Sequence, residues 1–211
     1  AEGHRTFLLA DEPGLGKTAQ ALLAADAAGA FPLLVVVPNV VKANWAREAE
    51  LWTPRRAATV IQGDGDTVDG FADIVIVNYE VLDRHVGWLG RHGFRGMVVD
   101  EAHFIKKKSS QRSQHVLELS ERLRARSVKA LFMALTGTPL INDIEDFKAI
   151  WQFLGWIDEK KPGPVPSSSC MRKNWFSASS CETLLFGSSR SPKASTPAMQ
   201  ELTQAGVASG S

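Results

Sequence analysis

Cysteine is scarce. Only Cys170 and Cys181 occur in 211 residues, both near the C-terminus. They lack metal-ligand spacing, and a reducing, cytoplasmic setting is the expectation, nucleoid-associated if the source is bacterial. No apolar run reaches the roughly 18 residues of a membrane span, and no signal peptide opens the chain, so no membrane partner is expected. An excess of one charge is lacking too. Lysine and arginine number 24 against 23 acidic residues, for a net charge of +1. Such a balance excludes a generally basic nucleic-acid binder, and any DNA contact must come from a local surface. Acidic residues are themselves unevenly placed: after Lys161 only Glu182 and Glu201 remain.

That depletion coincides with a change of character. The stretch from Pro162 to Ser211 begins "PGPVPSSSC" and is rich in serine and proline. Its hydrophobic periodicity stops, and such a composition buries too little apolar surface to offset the entropy of ordering it. We expect residues 1–161 to form one domain and residues 162–211 a disordered tail, in which lone aromatics such as Trp175 and Phe186 are the candidates for docking. An out-of-frame reading of the gene would explain the shift; a genuine lineage-specific tail is the alternative.

Before Lys161, short apolar segments alternate with amphipathic ones. Strands are predicted at Thr6–Ala10, Leu33–Val37, Thr59–Ile61, Ile74–Val77, Met97–Val99 and Leu131–Leu135. Helices are predicted at Lys17–Ala28, Lys42–Trp52, Tyr79–Leu89, Gln111–Arg124 and Asp143–Leu154. Val41, Trp45, Ala49 and Trp52 fall on one helix face, as do Phe147, Ile150, Trp151 and Leu154. The alternation predicts an α/β fold whose parallel sheet is covered by helices on both faces.

The chemistry begins at "FLLADEPGLGKTAQALLAA" (Phe7–Ala25). "GLGKT" follows an apolar strand and opens a helix, the context of a phosphate-binding loop, although the strict pattern would place glycine where Asp11 stands. Gly14 and Gly16 let backbone N–H groups approach phosphate, and the helix N-terminus adds its positive dipole end. Gly14, Leu15, Gly16, Lys17, Thr18 and Ala19 are the candidate nucleotide-binding residues, with Lys17 on the β/γ-phosphates and Thr18 on Mg²⁺. The bland alternative is a tight glycine turn that caps a helix.

A nucleotide hydrolase also needs carboxylates at the end of a nearby strand. In "GMVVDEAHFIK" the strand runs into Asp100, the candidate magnesium-side carboxylate, and Glu101, the candidate that orients and deprotonates the attacking water. Two surface acids capping the next helix would look the same in isolation. ATP and Mg²⁺ are the expected ligands, with Lys17, Asp100 and Glu101 as catalytic residues.

"DEAH" and "ALTGTPLIND" then point to a family. The chain resembles the Swi/Snf-type DNA-dependent ATPases of helicase superfamily two, and its Ala/Val/Arg-rich composition suggests a bacterial member. "DEPGLGKT" is similar to that family's first motif, so Asp11 is the family's own variant; Pro13 replaces a usual methionine. "LLVVVPNVVKANWAREAELW", "VIQG", "DIVIVNYEVL", "VVDEAHFIKKKSSQRS" and "LTGTPLIN" resemble further motifs in family order, over about residues 6–157. The resemblance implies the first RecA-like lobe of a motor that hydrolyses ATP and moves along double-stranded DNA without sequence preference. It implies DNA-backbone contacts from Asn39, Lys42 and Asn44, and DNA or coupling roles for Thr136, Gly137 and Thr138. It also implies that His103 links the ATP site to the coupling machinery, a structural histidine being the alternative. Lys106, Lys107 and Lys108 are either further phosphate contacts or a solvated loop.

Nothing within the chain matches the family's adenine-recognising glutamine segment, or the second RecA-like lobe with its γ-phosphate arginines. A second lobe or partner chain is therefore an expected partner, and the chain alone is expected to be inactive. A non-hydrolysing nucleotide- or DNA-binding module and an unrelated P-loop ATPase are the competing readings. "LTGTPLIN" speaks against the latter.

Overall fold

The computed structural model describes residues 5–11, 14–63, 72–137, 145–157 and 175–176. Its strands are β1 (Thr6–Leu9), β2 (Leu33–Val37), β3 (Ala58–Val60), β4 (Ile74–Asn78), β5 (Gly96–Val99), β6 (Leu131–Leu135) and β7 (Trp175–Phe176). Its α-helices are α1 (Lys17–Ala27), α2 (Lys42–Trp52), α3 (Leu82–Leu89), α4 (Gln111–Arg126) and α5 (Glu145–Leu154). The strands form one sheet in the order β3-β4-β2-β5-β6-β1-β7, and every pair is parallel.

The sequence dictates this sheet directly. β2 reads LLVVV and β4 IVIVN, and each is buried along its whole length. Continuous runs of β-branched and aliphatic residues suit strands covered on both faces. Alternate residues feed two cores. Leu33, Val35 and Val37 join Leu22, Ala25, Trp45 and Ala49 of α1 and α2. Leu34 and Val36 join Leu82, Val86, Val116, Leu123 and Phe153 of α3, α4 and α5.

The division of helices follows from crossover handedness. From β1 to β2 and on to β3 the chain steps one way along the sheet, and from β4 to β5 to β6 it steps back. Right-handed parallel crossovers travelling in opposite directions place their helices on opposite faces. All strands being parallel, the segments after β1, β2, β4, β5 and β6 emerge at one edge, where α/β sheets place their ligands.

The predicted elements are all present: β2, β6 and α2 have the expected bounds, and the others differ by one to three residues at an end. The helix expected from Tyr79 starts at Leu82. Tyr79 instead stacks on Phe104 at 5.4 Å, and residues 79–81 form a turn that holds it there. The start of the helix expected from Asp143 lies outside the described residues. So does the tail expected to be disordered, apart from Trp175–Phe176, which lies beside Leu8–Leu9 of β1.

Candidate functional site

The loop after β1 enters α1 through two glycines with left-handed backbone, Gly14 at φ 90° and Gly16 at φ 69°. A Cβ at either position would be strained by that conformation although it would meet no atom within 4 Å. The open space over both glycines is room for a ligand against bare backbone. Gly16 is the N-cap of α1, and among the described residues no side chain caps the helix. The first-turn amides of an uncapped N-terminus attract an anion. Lys17 turns its ammonium back to donate to the carbonyl of Asp11 at 2.8 Å. Leu15 stands out at the loop tip, 47% exposed, while its carbonyl accepts from Gln20 at 2.9 Å. Thr18 and Ala19 sit half-buried in the first turn. Asp11, the residue that departs from the strict loop pattern, is buried, and its Oδ2 has no hydrogen-bond partner among the described residues.

Asp100 and Glu101 leave the end of β5, two strands from β1, with β6 between them. The emerging backbone is stitched to the sheet: Asp100 N–H donates to Val36, Tyr79 N–H to Val37 and Thr136 N–H to Leu9, at 2.9, 3.1 and 2.9 Å. Both carboxylate oxygens of Asp100 are engaged. Oδ1 accepts the Glu101 amide and Oδ2 accepts the indole N–H of Trp45, each at 2.8 Å. The Tyr79 hydroxyl donates to the Asp100 carbonyl at 2.7 Å. Burial raises the Asp100 carboxyl pKa above its ordinary value, and Glu101's charge adds to the rise. The Trp45 and Glu101 hydrogen bonds and the Lys17 ammonium act the other way. Lys17 and Asp100, 83 positions apart in sequence, thus feel one another's charge across the sheet edge. Tyr79 is held well above the usual phenol range by burial, then by the charges of Asp100, Glu101 and Glu80.

Glu101 is the one described non-glycine residue with positive φ, at 48°. Its carboxylate lies 3.2 Å from Nδ1 of His103, both side chains being about one-third exposed. Distance and alignment disagree here: among the described residues that buried ring nitrogen finds no partner with the geometry of a hydrogen bond. We read the pair as adjacent, with the proton-carrying bond unmade.

The remaining predicted residues divide. Asn39 is exposed at the start of a short 3₁₀ turn after β2, and Asn44 is half-buried, accepting from Arg47 at 2.7 Å. Lys42 is 7% exposed and donates to Asn78 Oδ1 at 2.9 Å and the Ile61 carbonyl at 3.2 Å, which braces α2 against β4, and it lines an open groove with Asn39. Thr136, 2% exposed, is enclosed at the end of β6, between the two halves of the site. Gly137 is half-buried beside it. Thr138 lies outside the described residues. Lys106 and Lys107 line an open groove of about 640 Å³ with Phe104 and Arg112, while Lys108 is half-buried.

Trp45 and Tyr79 escaped the sequence reading as site residues. Trp45 looked like one member of an apolar helix stripe; the available signal was that a buried indole N–H needs an acceptor.

Among the described residues no cluster of three or more His, Cys, Asp or Glu side chains could cage a metal, and no helix is long and apolar enough to cross a membrane. The donor set does fit a hard cation held partly by phosphate and water, since Mg²⁺ bound beside a nucleotide takes only one or two protein oxygens. Thr18 and Asp100 would supply them.

Comparison with known proteins fits this geometry. The ISWI chromatin-remodeling complex ATPase ISW1 of Saccharomyces cerevisiae is 34% identical over 161 residues, 70% of this chain and 14% of that protein. The chicken DNA repair and recombination protein RAD54B is 31% identical over 182 residues, 79% of this chain and 18% of that protein. The solved SWI2/SNF2 ATPase core of Sulfolobus solfataricus in complex with dsDNA superposes with a TM-score of 0.62 at 31% identity, covering 80% of this chain and 34% of that one. The chain therefore spans a small part of these relatives. None of the three is bacterial, so the bacterial reading rests on composition alone. A family model described as SNF2-related domain matches residues 2–169, past the boundary expected at residue 161. The chain belongs to the SNF2-related domain family.

Proposed function

We propose that this chain is the ATP-binding lobe of a DNA-dependent ATPase that moves along double-stranded DNA, and that it completes hydrolysis only with a second RecA-like lobe. The observation that carries the reading is the meeting at one sheet edge of an uncapped, glycine-flanked helix N-terminus with Lys17 and a carboxylate, Asp100, within reach of Lys17's charge. Lys17 would leave the Asp11 carbonyl for the β/γ-phosphates, and the amides of Gly14, Leu15, Gly16, Lys17, Thr18 and Ala19 would hold phosphate oxygens. Mg²⁺, when bound through Thr18 and Asp100, would neutralise charge on those oxygens. Glu101 would orient and deprotonate water, and His103 beside it would report its state to the coupling segment at Thr136, Gly137 and Thr138.

The DNA partner is carried over from the archaeal core solved on dsDNA. Asn39 and Asn44 are our candidate contacts, to the backbone and so without sequence preference. Phosphoryl transfer relies on positioning and charge stabilisation, and an arginine reaching the γ-phosphate contributes about 10³–10⁵ in rate. None in this chain matches the family's own. The chain alone should therefore release phosphate at the rate of its Lys17→Ala variant, with or without duplex DNA, and addition of a second lobe should restore DNA-stimulated turnover. Turnover by the chain alone above that blank would refute the incompleteness. No turnover with a second lobe, with nucleotide still bound, would favour the non-hydrolysing module.

A further inference from the structure

Asp100 is held from three sides, by the Trp45 indole, the Glu101 amide and the Tyr79 hydroxyl. Trp45 is fully buried, and its ring packs among the apolar residues of α1, α2 and the sheet. Its N–H nevertheless ends 2.8 Å from Oδ2 of Asp100, 55 residues away in sequence. Oδ1 is fixed by the Glu101 amide at 2.8 Å, and the main chain of Asp100 by the Tyr79 hydroxyl at 2.7 Å. Each carboxylate oxygen offers about two acceptor directions. With one direction on each oxygen taken by a protein N–H, the plane of the carboxylate is set and the other directions are aimed.

From this geometry we infer that Trp45 is a positioning residue for magnesium: its indole N–H, held rigid by the core, orients Asp100 toward the metal's water shell. The inference rests on the proposed role of Asp100 in holding Mg²⁺. A buried indole needs some acceptor, and a backbone carbonyl would serve for packing alone. The acceptor found here is a carboxylate at the candidate metal position, and groups bonded to a metal's ligands commonly change metal affinity by about 10–100-fold when removed.

The test is the magnesium gain: the ratio of ADP affinities measured by calorimetry on the full chain in MgCl₂ and in EDTA. Three variants are compared with the parent. Asp100→Asn removes the carboxylate. Trp45→Phe keeps an aromatic ring and removes the donor. Trp45→3-benzothienylalanine keeps the bicyclic shape and replaces only the N–H, and it serves where Trp45→Phe does not fold. We expect Asp100→Asn to abolish the gain, and both Trp45 variants to reduce it by about tenfold, or to unity where it is smaller, with affinity in EDTA unchanged. The Trp45 indole proton, identified in NMR spectra as the cross-peak lost in Trp45→Phe, should move with Mg-ADP and stay in place with ADP in EDTA. A parental gain in both Trp45 variants, with the gain lost in Asp100→Asn, overturns the inference and leaves the functional reading standing. Equal loss of affinity in MgCl₂ and EDTA also overturns it, since packing alone would do that. A gain retained in Asp100→Asn overturns the metal role of Asp100 and the inference with it.

Discussion

Glu101 sits where a side chain is costly. Its φ of 48° and ψ of 55° are left-handed, a conformation that brings Cβ against the following carbonyl at about 1–2 kcal/mol for residues other than glycine. Such strain persists where surrounding structure holds it and concentrates at functional positions. Here the Glu101 amide is tied to Asp100 Oδ1 at 2.8 Å and the Glu101 carbonyl accepts from Phe104 at 2.9 Å. A pair of variants isolates the backbone contribution. Glu101→Ala removes the carboxylate and keeps the strain, whereas Glu101→Gly removes both. At an ordinary position glycine is the less stable of the two by about 0.5–1 kcal/mol, because it loses more chain entropy on folding. At Glu101 relief of about 1–2 kcal/mol of strain exceeds that loss, and the order should invert, with glycine ahead by about 0.5–1 kcal/mol. For a domain of this size that is about 1–4 °C in melting temperature. The assay is thermal unfolding of both variants without nucleotide, followed by circular dichroism. Glu101→Ala melting at or above Glu101→Gly would refute the claim that this carboxylate is held at a backbone cost.

Three further outcomes follow from the same geometry. Lys17→Ala should weaken ATP binding by tenfold or more, on the order of the 1.5–3 kcal/mol of a charged hydrogen bond, with an unchanged melting temperature; equal affinity by calorimetry would remove Lys17 from the phosphate site. Gly96→Ala, at the start of β5, should cost about 1–3 kcal/mol; its Cβ would lie 2.7 Å from Leu33 Cδ1 and 3.0 Å from the Ala30 carbonyl, and a denaturant midpoint equal to the parent's would show that the strand yields. Asp100→Asn carries a pH signature. Burial raises the Asp100 pKa in the fold, so the folded state binds that proton more tightly than the unfolded chain. Stability from the bound proton is fully present below the unfolded carboxyl pKa, and is lost as pH rises through the folded value. The melting temperature of the parent relative to Asp100→Asn should therefore move in the parent's favour as pH falls from neutrality toward about 4; movement the other way would mean that the fold favours the charged carboxylate.

The strands up to Leu135, the parallel sheet and the positions of the loops that carry Lys17 and Asp100 were legible in the chain because each is a local pattern; β7 was not, because it lies in a stretch without apolar periodicity. Runs such as LLVVV and IVIVN can be satisfied only by strands buried on both faces, and Gly14, Gly16 and Lys17 between a strand and a helix describe a phosphate loop without reference to the rest of the molecule. Side-chain partners distant in sequence were not legible. Position 42 is a lysine shortly after a strand, and nothing local says that its ammonium turns inward to Asn78 and Ile61. Thr136 is a small polar residue whose enclosure follows from β6 lying between β5 and β1. The left-handed turn at Glu101 is imposed on a residue with no intrinsic preference for it. Trp45 shows the division most clearly. Helical spacing alone assigned its ring to the core, but the choice of Asp100 as acceptor was made when α2 packed beside the end of β5, because a hydrogen bond across 55 residues depends on strand order and helix placement, which no local run of sequence contains.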